Sequence, residues 1–245
     1  MHRFFVDYKV SSDQIVIDDK NDVNHIKRAL RVTIGEKLEI CDVESDEYIV
    51  EVKSLDDVII CDVIEKSTVD RESPIQIDLY QGLAKGSKME TIIQKSVELG
   101  IHTIYPLNTK RAIVKLDDKG EKKKVERWQK IADEAAKQSK RSHLPVVEKV
   151  LSIKNFSSVS KKYDLILVAY ELESSRTLKQ LLSNDYKRIA VVIGPEGGFE
   201  VEEVDTLVKL GAHSISLGPR ILRTETAGST LVSILQYELG DISKS

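Results

Sequence analysis

From Met1 to about Val69, apolar and polar residues alternate in short runs: Lys37-Leu38-Glu39-Ile40, Glu47-Tyr48-Ile49-Val50-Glu51-Val52 and Val58-Ile59-Ile60-Cys61-Asp62-Val63. A period of two, broken by acidic turn-like residues, predicts short strands forming a small β barrel or sandwich. Ile26 and Leu30, four apart, predict one helix over residues 22–30. The polar stretch 68–74 ends in Pro74 and is the expected boundary, giving domains 1–69 and 74–245.

Beyond it the period lengthens and alternates. Strands are predicted at 75–80, 101–106, 165–170, 190–193 and 214–217, and helices at 88–99 (closing at Gly100), 122–140, 177–182, 202–210 and 225–239. In the 122–140 helix Trp128, Ile131, Ala132, Ala135 and Ala136 form a narrow apolar stripe. The rhythm implies an α/β fold, a mainly parallel sheet with helices on both faces.

Two glycine-bearing loops, IGPEGGFE from Ile193 and LGPRILRTETAG from Leu217, each follow an apolar run and precede a helix. They are expected side by side at the ends of neighbouring strands, where α/β proteins hold ligands. Gly194-Pro195-Glu196-Gly197-Gly198 lacks dinucleotide spacing and has proline where an amide donor is needed. The stretch from Gly82 to Met89 resembles a phosphate loop but spaces its glycines wrongly, and Met89 cannot bind magnesium. What remains is either an adenosine-like cofactor read by backbone groups or a pair of tight turns. Arg220, Arg223 and Glu225 crowd beside the second loop; arginine suits charge on a carbonyl oxygen, whereas Glu225 could equally cap the following helix.

Composition (41% apolar, 31% charged) fits a soluble globular chain; no apolar run approaches a membrane span, and Met1-His2-Arg3-Phe4-Phe5 is no signal sequence, so a cytoplasmic location is expected. Cys41 and Cys61 are expected as reduced, buried thiols, and the histidines lack ligand spacing, so no metal is expected. Net charge is −3, yet nine Lys/Arg against four acids fall between Lys119 and Arg141, a basic patch that either steers a phosphate backbone or is a solvated helix face.

The start MHRFF, His25-Ile26 with Ala29-Leu30-Arg31, the stretch from Gly82 to Ile101, Arg127-Trp128, EAAKQSKR from Glu134, IGPEGG and LGPRILRTETA together resemble the RsmE family, 16S ribosomal RNA uridine-N3 methyltransferases of the SPOUT class. Ala29 replaces a usual valine, and Glu200 stands where a small capping residue is common. The resemblance covers nearly the whole chain. It implies an N-terminal PUA-like RNA-binding barrel, a C-terminal SPOUT domain with a trefoil knot, S-adenosyl-L-methionine as cofactor, a homodimer, and small-subunit 16S rRNA as partner. It implies cofactor contacts at Ala169, Tyr170, Glu171, Gly194, Pro195, Glu196, Gly197, Gly198, Leu217, Gly218, Arg220, Ile221, Leu222 and Thr226. Arg223 and Glu225 then lie nearest the chemistry. Phosphate contacts are expected from Arg3, Lys9, Arg28, Arg31, Lys85, Lys88, Arg111, Lys137, Lys140 and Arg141. Rival readings are a related methyltransferase acting on another RNA base and a non-catalytic RNA-binding assembly factor.

Overall fold

A computed structural model describes residues 1–69, 71–173, 177–182 and 186–243. The chain divides into two compact units, Met1–Glu72 with Ala136–His143, and Ser73–Ala135 with Leu144–Ser245.

The first unit contains β1 (Arg3–Phe5), β2 (Gln14–Ile17), α1 (Lys20–Asn24), β3 (Lys37–Cys41), β4 (Glu47–Leu55) and β5 (Ile59–Lys66). The strands form one sheet in the order β1-β3-β4-β5-β2, antiparallel except for the parallel β1–β3 pair. Two register shifts interrupt the β4–β5 pairing, with one extra residue on each strand, and irregularities of this kind bend a strand and raise its twist. Phe4 of the first edge and Ile15 and Ile17 of the other share one core with Leu38, Ile40, Val50, Val52 and Ile59, so the sheet is curled on itself. The expected helix over 22–30 starts earlier. Asp19 caps α1 by accepting from the amides of Asn21 and Asp22, and a π-helical turn, His25–Ala29, continues it. Cys41 and Cys61 are free and buried, and burial pushes both thiols up to about 12.

The second unit contains β6 (Gln76–Gly82), α2 (Lys88–Glu98), β7 (Thr103–Asn108), α3 (Asp118–Gln138, whose last turn belongs to the first unit), β8 (Val146–Val147), β9 (Leu151–Ser152), β10 (Leu165–Ala169), β11 (Arg188–Ile193), α4 (Val201–Lys209), β12 (His213–Ile215) and α5 (Thr224–Glu238). All seven strands are parallel, in the order β12-β10-β11-β6-β7-β8, with β9 also on β7. The expected helix at 177–182 is only a 3₁₀ turn, Leu178–Gln180, capped by Thr177.

Tyr80, Ala190, Val192, Ile166 and Val168 pack on one face against Val204 and Leu207 of α4 and against Ile153 and Phe156. The other face carries α5, where Gly228 brings the helix against Leu79 and Ile193. Asp78, fully buried in the central strand, accepts from the Tyr163 hydroxyl at 2.6 Å and lies 3.4–3.5 Å from Lys162, Arg188 and His102. Burial alone would raise its carboxyl, but the bonds from His102 and Tyr163 and the charge of Lys162 hold it down to about 2.

Candidate functional site

Because every strand of the second sheet is parallel, the loops after β10, β11 and β12 emerge at one edge. The two glycine loops follow β11 and β12, which are not neighbours: β10 lies between them. The site is therefore three strand ends wide, with Ala169, Tyr170 and Glu171 between the loops.

These segments wall a cavity of about 490 Å³, a volume suited to a small ligand. Ala169, Tyr170, Glu171, Gly194, Pro195, Glu196, Gly197, Gly198, Leu217, Gly218, Arg220, Ile221, Leu222 and Arg223 all line it. Thr226 is exposed and off its wall, because the helical turn carries it outward, and Glu225 is off the wall as well. Sequence reasoning missed Lys88, Ile193, Phe199, Ser216, Pro219, Thr224 and Ala227 on the lining.

The first loop uses its glycines mostly for its own packing. A Cβ at Gly194 would sit 3.2 Å from the Gly198 backbone, and one at Gly197 3.1 Å from Arg111 Cβ. At the end of β6 a Cβ on Gly82 would collide with the Pro195 nitrogen, so only glycine lets this strand end touch the loop. Gly218 differs: it needs glycine for its φ of +100°, and the space beside it is open.

One hydroxyl ties the two loops together. Thr224 Oγ1 donates to the Gly194 carbonyl at 2.6 Å and accepts from Gln81 Nε2 at 2.8 Å. Glu196 links the first loop to the start of α2, accepting from the Lys85 amide at 3.1 Å and facing Lys88 Nζ at 3.2 Å. Burial raises the Glu196 carboxyl, but its own amide, the Lys85 amide and Lys88 hold it below the usual carboxylate range.

The capping role open to Glu225 is not what the structure places there. Its Oε2 is enclosed, accepts no hydrogen bond among the described residues and lies 3.7 Å from Lys88. Lys88 thus bridges Glu196 and Glu225 on the cavity wall and is no free phosphate contact. Arg223 is the N-cap residue of α5 but makes no side-chain cap bond, where Ser, Thr or Asp would stabilise the helix by about 1 kcal/mol. Its exposed guanidinium makes no hydrogen bond or ion pair among the described residues. A local rule broken in this way is a mark of functional sites. Glu200, by contrast, caps α4 through a reciprocal capping box, with Glu203 accepting from its amide at 3.0 Å.

The other cations separate sharply. Arg3 is buried, pairs both nitrogens with Glu47 at 3.0 and 2.8 Å, and donates to the carbonyls of Lys140 and Arg141. Arg141 is buried against Glu72 at 2.6 Å, and Lys137 pairs with Asp22 at 2.7 Å above the Phe4 ring. These three are structural cations, since each is already neutralised inside the protein, and they do not offer the phosphate contacts expected of them. Lys9, Lys140 and Arg111 are exposed but paired with Glu44, Glu39 and Glu200. Lys85 is exposed, and Arg28 and Arg31 are exposed without a side-chain partner among the described residues.

A model of an RNA methyltransferase domain matches residues 71–236, and a model of an RNA methyltransferase PUA domain matches residues 17–60. The sheet, its strand-end cavity and these matches define the chain as an RNA methyltransferase by class. The Bacillus subtilis protein named ribosomal RNA small subunit methyltransferase E is 40% identical over 224 residues, covering 89% of this chain and 88% of its own. A crystal structure of a ribosomal RNA small subunit methyltransferase E from Neisseria gonorrhoeae bound to S-adenosyl methionine is 29% identical, with a TM-score of 0.88 over 99% of both chains. A putative methyltransferase from Legionella pneumophila, in complex with bound SAM, is 31% identical with a TM-score of 0.88 over 98% of both. This chain belongs to the ribosomal RNA small subunit methyltransferase E family.

Proposed function

We propose that this chain transfers the methyl group of S-adenosylmethionine to N3 of a uridine in small-subunit ribosomal RNA. The observation that carries the reading is the cavity between the two glycine loops, with the guanidinium of Arg223, unpaired among the described residues, on its wall.

The cavity suits that cofactor. Ile193, Leu217, Leu222 and Ala227 offer apolar contact, the backbone of Leu217 and Leu222 offers hydrogen bonds to an adenine edge, and Glu171 and Arg220 suit an ammonium and a carboxylate. When bound, S-adenosylmethionine supplies an electrophilic methyl group.

The chain's own residues handle the base. Methylation at N3 requires loss of the N3 proton, which spreads negative charge over the two flanking carbonyl oxygens. Arg223 stabilises that anion, and Lys88 adds a second positive charge to the same wall. Glu225 and Glu196 act through Lys88 by holding its ammonium in place. With Glu225 off the wall, the N3 proton passes to solvent. N3 lies on the pairing edge, so the uridine must be unpaired or flipped out.

In this reading the enzyme works in the cytoplasm as a homodimer, with its C-terminal strands threaded in the knot that the family resemblance implies. Ile221, 88% exposed on the cavity wall, is a residue a second subunit would cover. The test is nucleoside mass spectrometry of small-subunit RNA with and without the gene. Loss of one N3-methyluridine on deletion supports the reading, and an unchanged nucleoside profile overturns it.

A further inference from the structure

Of the basic cluster between Lys119 and Arg141, Lys137, Lys140 and Arg141 are consumed by internal pairing, while four lysines of the first half are not. Lys119, Lys122, Lys123 and Lys130 are all exposed, and none makes a hydrogen bond or ion pair among the described residues. With 3.6 residues per turn, Lys119, Lys123, Arg127 and Lys130 stand at i, i+4, i+8 and i+11 of α3, and Lys122 borders the same face. Glu126 is the one acid among them, and Asp133 and Glu134 end the stripe.

The helix is held so that this face looks outward. Trp128, Ala132 and Ala135 on the opposite side are buried. Gln129 accepts from the Val147 amide at 2.7 Å and donates to the Pro145 carbonyl, while Glu121 accepts from the Val150 amide at 3.0 Å. Arg127, in the middle of the stripe, donates to Glu90 at 2.9 Å. Glu90 lies in the first turn of α2, two residues from Lys88 on the cavity wall. The stripe, about 17 Å long, therefore passes within one ion pair of the helical turn that lines the cavity.

We infer that this face of α3 is a track for the phosphate backbone of the RNA whose base enters the cavity. The inference rests on the proposed function, and it assigns substrate binding to Lys119, Lys122, Lys123 and Lys130. Lysines on a rigid helix, unpaired among the described residues, complement a polyanion by charge and are free to displace its counterions.

The test compares wild type with K119Q/K122Q/K123Q/K130Q and with the all-arginine variant at the same positions. The readouts are binding of small-subunit ribosomal RNA and of a labelled oligouridine across a salt series, methyl transfer, and S-adenosylmethionine affinity. The glutamine variant is expected to flatten the log–log salt slope by roughly 3, at about 0.7 for each phosphate that is no longer neutralised. It should raise KM for the RNA substrate more than tenfold while kcat and cofactor affinity stay unchanged, and the arginine variant should keep the wild-type slope. An unchanged slope and KM in a glutamine variant that still methylates would overturn the track and leave the proposed function standing. A wild-type protein that transfers no methyl group would overturn the function itself.

Discussion

The hydroxyl of Thr224 donates to the carbonyl of Gly194 at 2.6 Å, joining the first residue of the last helix to the first residue of the glycine loop after β11. Gln81 completes the link from β6, so one side chain registers three segments around the cavity. Thr224→Val removes both bonds at constant shape, leaving the half-buried Gly194 carbonyl without this donor and the Gln81 amide with only its bond to the Gly82 carbonyl. The expected cost is about 1–3 kcal/mol, a fall in Tm of roughly 2–12 °C for a chain of this size, together with weaker cofactor binding by calorimetry. Thr224→Ser should retain both. Equal behaviour of the two variants would show that Thr224 does not tether the loops.

Arg223 has no internal partner among the described residues and lines the cavity, so its loss should affect chemistry more than folding. Arg223→Ala is expected to lower kcat by about 10²–10³, with Tm and cofactor affinity close to wild type. Unchanged single-turnover methyl transfer in a variant that still binds cofactor would refute the assignment.

Asp78 sets an acid limit on stability. Its carboxyl is held down to about 2, below the ordinary value of an unfolded chain, so its contribution is complete above the unfolded value and is lost as pH falls through about 2. That contribution is about 2 kcal/mol by linkage. Asp78→Ala should cost more, about 3–5 kcal/mol, because Lys162 and Arg188 then lose their buried partner. Urea denaturation of both proteins from pH 6 down to pH 3 should show the wild type losing stability with acid and the variant showing a shallower slope.

The thiols give a probe of the first unit. With both pushed up to about 12, only about one in ten thousand is thiolate at pH 8, and both are buried. Iodoacetamide should leave the native protein unlabelled and add two carbamidomethyl groups once urea unfolds it. Fast labelling of the native state would contradict the burial of Cys41 and Cys61.

The long, periodic elements were legible in the sequence because each carries its own evidence. The amphipathic helix ending at Gly100, the apolar runs of β10 and β11, and both glycine loops stand within a few residues of where their patterns place them. Long-range pairing left no such trace. β1 is three residues long and finds its parallel partner β3 across more than thirty positions, and β10 enters between the strands that carry the two loops. The site residues divide in the same way. Leu217, Gly218 and Arg223 announce themselves by motif, whereas Thr224 is an ordinary residue, and Lys88 reads only as a phosphate-contacting cation, until folding gives them partners. A usable signal did exist in β6, where Asp78 and Gln81 are polar residues in an otherwise apolar run of a strand buried on both faces. Charge was the least legible feature. Nothing local distinguishes Arg141, buried against Glu72, from Lys123, which is exposed.

The proposed methyl transfer to uridine N3 is tested most directly with purified parts. The protein is incubated with S-adenosylmethionine carrying a labelled methyl group and with small ribosomal subunits from cells lacking the gene, and the digested RNA is resolved by nucleoside mass spectrometry. Label is expected in a single nucleoside, N3-methyluridine, and is expected to be nearly absent with Arg223→Ala. Label in any other nucleoside, or none with wild-type protein, would contradict transfer to uridine N3.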